Sequence, residues 1–148
     1  MHEENAAFKI RSFRQSDTEA VVQLWRACGL VTRTNDPWAD IQRKLHVDPQ
    51  WFLVGLVNHQ LVATCMAGYE GHRGWINYLA VAPRFRRKGF ATRLIREAEQ
   101  QLAAAGCPKI NLQVRDTNTE VLRFYRRIGY VQDPVVSLGK RLIENPIE

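Results

Sequence analysis

The sequence predicts an α/β (α+β) fold in which one mixed, mostly antiparallel sheet carries helices on both faces. Three strand-like segments between residues 51 and 81 are joined by short turns, which is typical of an antiparallel meander. A long amphipathic helix then separates two further strand-like segments, and a crossover of this kind joins parallel neighbours. With the flanking segments included, the predicted order is βααβββαβαββ, with six to seven strands in the central sheet.

The segments before residue 50 predict one strand and two helices. Residues 8–14 alternate apolar and polar side chains, which is the period of a half-buried strand. Ser16 and Glu19 have capping-box spacing, which begins a helix. Asp36 is an N-cap followed by proline, so a second helix is expected over residues 37–47.

The middle of the chain predicts a hairpin, a third strand and a long helix. Residues 51–57 and 61–69 are apolar and are separated by a short polar turn. The strand Trp75–Val81 follows. A basic turn then leads into a helix with one apolar stripe, which ends at Gly106.

The basic turn before the long helix is a candidate anion site. The first amides of a helix lack intrahelical partners, and the helix dipole is positive at that end. Gly89 lets the phosphates of another molecule approach the backbone, and Arg86, Arg87 and Lys88 add positive charge. A diphosphate is therefore the expected guest, although neither dinucleotide-fingerprint nor P-loop spacing is present.

The last third of the chain predicts a strand, a short helix and two further extended segments. Residues 109–115 alternate in the manner of a strand. A helix is expected over residues 120–128, with extended structure at Tyr130–Val131. A last strand is expected at residues 135–138.

Two motifs, in the correct order, resemble the signature of the GNAT acetyltransferases. The first, Q/R-x-x-G-x-G/A, is matched by residues 86–91, which read RRKGFA. The second, N-x-x-A-x-x-F/Y-Y-x-x-x-G-F/Y, is matched from Asn118 to Tyr130, with Val121 in place of alanine. With the element order, the resemblance covers nearly the whole chain. It is strongest to small bacterial members of the YpeA type and extends more distantly to ribosomal-protein N-terminal acetyltransferases.

The resemblance implies acetyl-CoA as co-substrate and a set of residues that hold it. In the family, the strand before the basic turn pairs with the pantetheine arm, and an amide near Leu79 polarises the thioester carbonyl. Amides of the turn hold the pyrophosphate, and Asn118 contacts the arm from the other side. This arrangement requires the strand that begins at Trp75 and the strand that begins at Lys109 to splay apart. The expected cofactor-binding residues are Leu79, Ala80, Val81, Arg86, Arg87, Lys88, Gly89, Phe90, Ala91, Thr92 and Asn118.

The resemblance also implies a general acid but supplies no general base. Tyr125 matches the tyrosine that protonates the leaving thiolate in many relatives, and a phenol with a pKa near ~10 stays protonated at neutral pH. Gln113 stands where N-terminal acetyltransferases carry a glutamate, and glutamine cannot accept a proton. Glu70 acting through water is the expected substitute. Tyr78 in the same role, or a substrate that arrives as a neutral amine, are the alternatives.

The resemblance places the acceptor beside the region between the first strand and the second helix. Carboxylates and an indole there would meet a cationic amine. Asp36 has a second possible role as a helix N-cap. The candidate acceptor-binding residues are Asn35, Asp36, Trp38, Asp40 and Tyr78.

The composition indicates the number of domains, the absence of disulfide and metal sites, and the cellular location to expect. The 148 residues, 45% hydrophobic and 24% charged, suit a single domain over residues 1–148. Three cysteines without a C-x-x-C pair and four histidines without ligand spacing predict neither a disulfide nor a metal site. The polar amino terminus and the absence of an apolar run of ~20 residues favour the cytoplasm. A monomer or a homodimer is expected.

The net charge of +6 suits a polyanionic partner and leaves three functional hypotheses. The leading one is an acetyl-CoA-dependent N-acetyltransferase that acts on a primary amine of a small molecule or peptide. A domain that binds a CoA ester without turnover is the first alternative, which Gln113 favours. A nucleic-acid binder is the second, with the arginines on phosphates and Phe85 and Phe90 stacked on bases.

Overall fold

The computed structural model describes residues 7–143, which form five strands and four helices. Strands β1 to β5 are Phe8–Ser12, Phe52–Val57, Gln60–Tyr69, Gly74–Val81 and Ile110–Leu112. Helices α1 to α4 are Thr18–Ala27, Pro37–Lys44, Phe90–Ala104 and Thr119–Arg127. Single 3-10 turns precede α1, β2 and α3, at Gln15–Asp17, Pro49–Trp51 and Pro83–Phe85.

The strands form one mixed sheet in the order β1-β2-β3-β4-β5. The pairs from β1 to β4 are antiparallel, and β4 pairs with β5 in parallel. Helix α3 is the crossover between these two parallel strands, because a parallel pair cannot be closed by a tight turn. The predicted fold class is therefore confirmed.

The helices cover both faces of the sheet, as predicted, and each face has its own core. Helices α1 and α2 bury Trp25 and Ile41 against one face, where Phe52 and Val54 face them. Helices α3 and α4 pack on the other face. Their buried side chains are Phe90, Leu94, Ile95, Ala98, Leu102 and Tyr125.

The predicted count of six to seven strands is wrong for residues 7–143, because the sheet ends at β5. Residues 131–143 form no strand, although Val135, Val136 and Leu138 are apolar residues of the kind that a strand favours. Val135 and Leu138 are 77% and 90% exposed. Side-chain contacts hold this segment instead of a ladder, for example the ion pair between Lys109 and Asp133 at 2.8 Å. Apolar residues alone do not give a segment a neighbouring strand to pair with, and Pro134 removes one backbone donor.

Helices α1 and α2 differ from the sequence prediction at one end each. Asp17, not Ser16, organises the start of α1, since its carboxylate accepts hydrogen bonds from Arg11 at 2.8 and 3.0 Å and from the Arg14 amide at 2.8 Å. Burial alone would raise the pKa of Asp17, but these hydrogen bonds outweigh it and lower the pKa. Helix α2 ends at Lys44, three residues before the predicted end.

None of the helices formed by residues 7–143 combines the length and apolar character that a membrane crossing requires.

The start of β4 has no room for a side chain, which gives a test of the packing between β4, β5 and α3. A Cβ added at Gly74 would lie 2.8 Å from Cys107 Sγ, 3.0 Å from Ile110 Cγ1 and 3.1 Å from Leu102 Cδ1. We expect Gly74→Ala to lower the free energy of unfolding by ~1–3 kcal/mol, as overpacking does. Thermal unfolding of Gly139→Ala is the matched control, since nothing lies within 4 Å of its Cβ position. Equal melting temperatures for the two variants would contradict this packing.

Candidate functional site

Strand β4 carries a bulge at the point where the site begins. Two residues, Tyr78 and Leu79, lie opposite Cys65 alone, between the pairs Thr64–Ala80 and Met66–Asn77. Tyr78 has a φ of +53°, which is uncommon for a residue with a side chain and costs ~1–3 kcal/mol. A bulge bends its strand and redirects the following side chains. The strained residue therefore needs support from its surroundings.

Trp25 and Thr64 supply that support from the core. The indole of Trp25 stacks on the Tyr78 ring, with the ring centroids 3.7 Å apart and the planes 11° from parallel. The Thr64 hydroxyl accepts a hydrogen bond from Trp25 Nε1 and donates one to the Tyr78 carbonyl, each 2.9 Å long. Both supporting residues are 0% exposed. The bulge is thus fixed by contacts that water cannot reach.

The two parallel strands separate beyond the first residues of β4. Their pairing runs from Gly74–Ile110 to Ile76–Leu112 and stops there. From Asn77 onward, the edge of β4 that faces β5 has no strand partner among the described residues. This is the splay that the sequence predicts. An unpaired strand edge is a template on which an extended ligand can lie as an additional strand.

The basic turn contains two residues with left-handed backbone conformation, and a Cβ added at Gly89 would meet nothing within 4 Å. Arg87 and Gly89 have φ values of +65° and +82°, and such left-handed residues make successive N–H groups converge on an anion. Helix α3 begins directly afterwards without a side-chain cap and without an acidic residue in its first turn. In contrast, Asp36 caps α2 and Asn118 caps α4. The donors at the start of α3 therefore suit a diphosphate.

Two features of the turn differ from what its residue types suggest. Arg86 folds back from the turn, with Nε donating to the Val81 carbonyl at 3.0 Å and Nη2 lying 3.5 Å from Cys28 Sγ. Its side chain therefore braces the end of β4. Phe85 and Phe90 are 5% and 1% exposed, so neither ring can stack on a base as the nucleic-acid hypothesis requires.

Tyr125 lies in the core on the α3 and α4 face, in the same cluster as Leu79. It is 7% exposed and packs edge to face against Phe124 and Tyr130 at 5.0 and 5.4 Å. Burial is the main cause that raises the pKa of the phenol, and the nearby Cys65 thiol adds to it. Within residues 7–143 no hydrogen bond of the hydroxyl contributes to this shift, so its proton is not committed to another acceptor there.

The polar residues predicted near the chemistry mostly serve the local backbone. The Glu70 carboxylate accepts from the Arg73 and His72 amides at 2.6 Å each, and these bonds lower its pKa. Asn118 accepts from the Val121 amide at 3.3 Å as the α4 cap. The Gln113 side-chain amide is hydrogen-bonded to the Ser137 hydroxyl. A carboxylate with a lowered pKa is a weaker proton acceptor, so Glu70 stabilises its turn better than it could serve as a base.

On the α1 and α2 face, Tyr78 joins two of the predicted acceptor residues. Its hydroxyl accepts from Asn35 Nδ2 at 2.7 Å and donates to Asp40 Oδ2 at 2.6 Å. Burial raises the pKa of Tyr78, and the hydrogen bond to Asp40 and its charge raise it further. The structure therefore brings Asn35, Asp40 and Tyr78 together.

Asp36 and Trp38, the other two predicted acceptor residues, do not join this group. Asp36 Oδ1 accepts from the amides of Trp38 and Ala39 at 3.1 and 3.2 Å, so this carboxylate serves as the N-cap of α2. Trp38 is 40% exposed and does not line the neighbouring cavity.

A cavity of about 400 Å³ opens beside the Tyr78 hydroxyl. Its polar and ionic lining comes from α2 and β4, and Lys44 among these residues escaped the sequence analysis. Lys44 lies three residues after the buried Ile41, so the helical period places it on the inner face of α2. The lining residues are Asp40, Arg43, Lys44, Val47, Met66, Asn77 and Tyr78.

Across residues 7–143, the His, Cys, Asp and Glu side chains form no group of three or more that could hold a metal ion.

Comparisons with known proteins agree with this geometry. The Acetyltransferase (GNAT) family matches residues 18–130. A protein named acetyltransferase from Pectobacterium atrosepticum is 50% identical over 137 residues, which are 93% of this chain and 97% of that protein. Ard1 from Thermoplasma volcanium has a crystal structure similar to this chain, with a TM-score of 0.74, 27% identity and coverage of 84% and 83% of the two chains. An aminoglycoside acetyltransferase from an uncultured soil metagenomic sample shares the fold, with a TM-score of 0.74, 20% identity and coverage of 94% and 99%.

The raised pKa of Tyr78 predicts how stability depends on alkaline pH. The protonated phenol stabilises the fold fully below pH ~10, where the unfolded chain is also protonated. Above that pH the unfolded chain releases a proton that the folded chain keeps, so stability falls. Between pH 10 and 11, Tyr78 should make the free energy of unfolding fall by up to ~1.4 kcal/mol per pH unit. We expect Tyr78→Phe to remove this contribution. Urea unfolding at a series of pH values measures it, and parallel curves for wild type and variant would contradict the network.

Proposed function

Because the chain belongs to the GNAT acetyltransferase family and is an acetyltransferase, we propose that it takes the acetyl group from acetyl-CoA and transfers it to a primary amine of a small molecule or peptide. The observation that carries this proposal is the combination of an uncapped helix N-terminus and an unpaired strand edge that follow each other in the chain. A diphosphate and an extended amide-containing arm are the two recognition elements that CoA contains. The residues present therefore fit this co-substrate.

The chain's backbone would hold most of the CoA moiety. The amides of residues 87–92 would bind the pyrophosphate, with the dipole of α3 favouring its negative charge. The edge of β4 from Leu79 to Val81 would pair with the pantetheine arm. Acetyl-CoA supplies a thioester whose carbonyl is open to attack by an amine. Leu79 follows the strained residue of the bulge, so its amide direction is set by the supported backbone there.

We propose that Tyr125 is the general acid. Its buried phenol keeps its proton at neutral pH, and no hydrogen bond to a described residue contributes to its raised pKa. The amine nitrogen would bond to the thioester carbonyl carbon as the bond from carbon to sulfur breaks, and the Tyr125 hydroxyl would give its proton to the departing thiolate sulfur. The nitrogen would release one proton to solvent, and Tyr125 would regain its proton from solvent. A positioned acid of this kind typically contributes ~10²–10⁴-fold to the rate.

We propose that the acceptor amine is already neutral when it attacks. Gln113 cannot accept a proton, and the hydrogen bonds that lower the pKa of Glu70 weaken it as a base acting through water. Tyr78 retains its proton strongly and is therefore a poor acceptor of another. A neutral amine requires none of these groups, because the nitrogen lone pair is free before the acceptor binds.

The proposal has consequences for location and assembly. Cys28, Cys65 and Cys107 are unpaired thiols, which suits a reducing compartment, and we propose the cytoplasm. We also propose that the chain acts as one domain and as a monomer or homodimer. The family relationship favours an enzyme over the alternative hypothesis of a domain that binds a CoA ester without turnover.

The start of α3 gives a direct test of pyrophosphate binding. Gly89→Glu places a carboxylate where the diphosphate would lie, so we expect acetyl-CoA affinity to fall at least ~10-fold, or ~1.4 kcal/mol. Gly106→Glu is the matched control, because Gly106 follows the other end of α3, has a similar φ of +95°, and also has nothing within 4 Å of its Cβ position. Calorimetry with both folded variants decides the point. Equal affinities would remove the turn from the binding site.

The Tyr125 hydroxyl gives a test of the chemical step. We expect Tyr125→Phe to lower kcat at least ~10²-fold with little change in acetyl-CoA affinity, because only the proton donor is lost. Steady-state kinetics with calorimetry measures both quantities. Tyr69→Phe is the control, since the hydrogen bonds that this hydroxyl makes within residues 7–143 go to the carbonyls of Gly71 and Gly106. A Tyr125→Phe enzyme with unchanged kcat would exclude the acid role.

A further inference from the structure

The cavity beside Tyr78 contains a buried cation that lacks a carboxylate partner. Lys44 is 9% exposed, and its Nζ donates to the Ala67 carbonyl at 2.5 Å. Among residues 7–143, no Asp or Glu oxygen lies within 4 Å of this ammonium group. Burying an ammonium costs free energy unless an opposite charge compensates it. The geometry therefore leaves a place for an anion that the described chain does not fill.

The nearby charges do not compensate Lys44. Asp40 already pairs with Arg43 at 3.0 Å and accepts the Tyr78 hydroxyl. Burial is the main cause that lowers the pKa of Lys44, while Asp48 and Cys65 oppose the shift from a longer distance. The ammonium thus keeps unused hydrogen-bonding capacity, since one of its three donors is committed.

The excess of positive charge continues into the adjoining cavity. This second cavity, of about 430 Å³, shares Asp40 and Arg43 with the first and adds Lys140 and Arg141 from the carboxyl-terminal segment. Arg141 is held there by a hydrogen bond to the Thr34 carbonyl. Together the two cavities are lined by one carboxylate and four cationic side chains. A polycationic acceptor would be repelled by this lining.

We propose that the acceptor amine carries an anionic group, a carboxylate or a phosphate, which binds Lys44 and Arg43 in this cavity. This inference rests on the proposed function and adds the substrate class. Tyr78 belongs both to the cavity and to the bulge of β4, so an acceptor anchored here lies next to the unpaired strand edge. The expectation of a cationic acceptor held by Asp36 and Asp40 is thereby replaced, because both carboxylates are engaged within the protein.

The same positive lining explains how an amine can react without a dedicated base. Nearby like charges disfavour the protonated form of an amine and lower its pKa. Arg43 and Lys44 would thus bind the anionic end of the acceptor and favour the neutral form of its amino group. The enzyme requires no carboxylate at position 113 for this purpose.

A binding experiment tests the anion site without requiring turnover. The protein is labelled with ¹³C at lysine Cε and titrated at constant ionic strength with sodium propionate, inorganic phosphate and propionamide. We expect a saturable shift of the Lys44 signal and a raised Lys44 pKa with at least one anion, and no response to propionamide. The preferred anion identifies the group. No saturable response to either anion, or an equal response to propionamide, would overturn the proposal.

Substitution assigns this response to the cavity. Lys44→Met keeps an unbranched side chain of similar length without the charge, and should abolish the binding measured by calorimetry. Lys109→Met is the matched control, because Lys109 pairs with Asp133 outside the cavity. Arg43→Met, at a largely exposed position, provides a second variant should Lys44→Met fail to fold, and should weaken anion binding at least ~10-fold. Retained affinity in the folded cavity variants would contradict the assignment.

Matched acceptors test the substrate class. β-Alanine is compared with β-alaninamide, and 3-aminopropyl phosphate with 3-aminopropanol. We expect the anionic member of at least one pair to have a kcat/KM at least ~10-fold higher, and Lys44→Met to remove this advantage through KM. If acetyl-CoA binds but the neutral members react equally well, the anionic-acceptor inference is wrong and the proposed function stands. If acetyl-CoA does not bind, the proposed function itself fails.

Discussion

At Tyr78 and Leu79, strand β4 carries one residue more than β3 opposite it, and the positive φ of Tyr78 is held by stacking on Trp25 and a hydrogen bond from Thr64. This supported bulge sets the direction of the rest of β4. From Asn77 onward, on the β5 side, β4 has no strand partner within residues 7–143, so a slot opens between the two parallel strands. The buried position of Trp25 and Thr64 matters, because strain persists only where the surrounding core overdetermines the backbone.

The two ends of the slot differ in the groups that could bind a ligand. One end has a helix N-terminus, and the other has charged side chains. At one end, α3 begins without a cap or an acidic residue, so its amides and dipole favour an anion. At the other, Tyr78 lines a cavity where Lys44 has no carboxylate within 4 Å among residues 7–143. The core on the α4 side contributes Tyr125, a phenol kept neutral by burial. The proposed recognition of the donor therefore rests mainly on backbone groups, and the proposed recognition of the acceptor rests on side-chain charge.

The sequence predicted those features that depend on local pattern. Apolar period located the four helices, and the RRKGFA turn located the uncapped start of α3, since both signals lie within a few neighbouring residues. It failed where a partner at long range decides the outcome. The apolar residues at positions 135–138 predicted a strand, but no strand pairs with that segment within residues 7–143. The fold-back of Arg86 onto the Val81 carbonyl has no local signal, because it depends on the path of the turn.

The acceptor region shows the same limit. The sequence analysis named Asn35 and Tyr78 as candidates, and the structure brings these two side chains together. The burial of Lys44 instead depends on how α2 packs over β3, where Ala67 accepts its hydrogen bond. A lysine in a mostly polar helix is expected to be exposed to solvent. The three-residue spacing from the buried Ile41 indicates instead that Lys44 lies on the inner face of α2. The positive φ of Tyr78 is likewise a tertiary effect, since no residue type at that position requires it.

The most direct test of the central claim is calorimetric titration of the wild-type protein with acetyl-CoA at moderate salt, repeated with a short DNA duplex as competitor. The account predicts saturable binding of one acetyl-CoA per chain, unaffected by the duplex, because the donors at the start of α3 and the edge of β4 recognise the two parts of CoA. An absence of acetyl-CoA binding together with salt-sensitive duplex binding would contradict it, since the basic turn would then serve nucleic-acid phosphates.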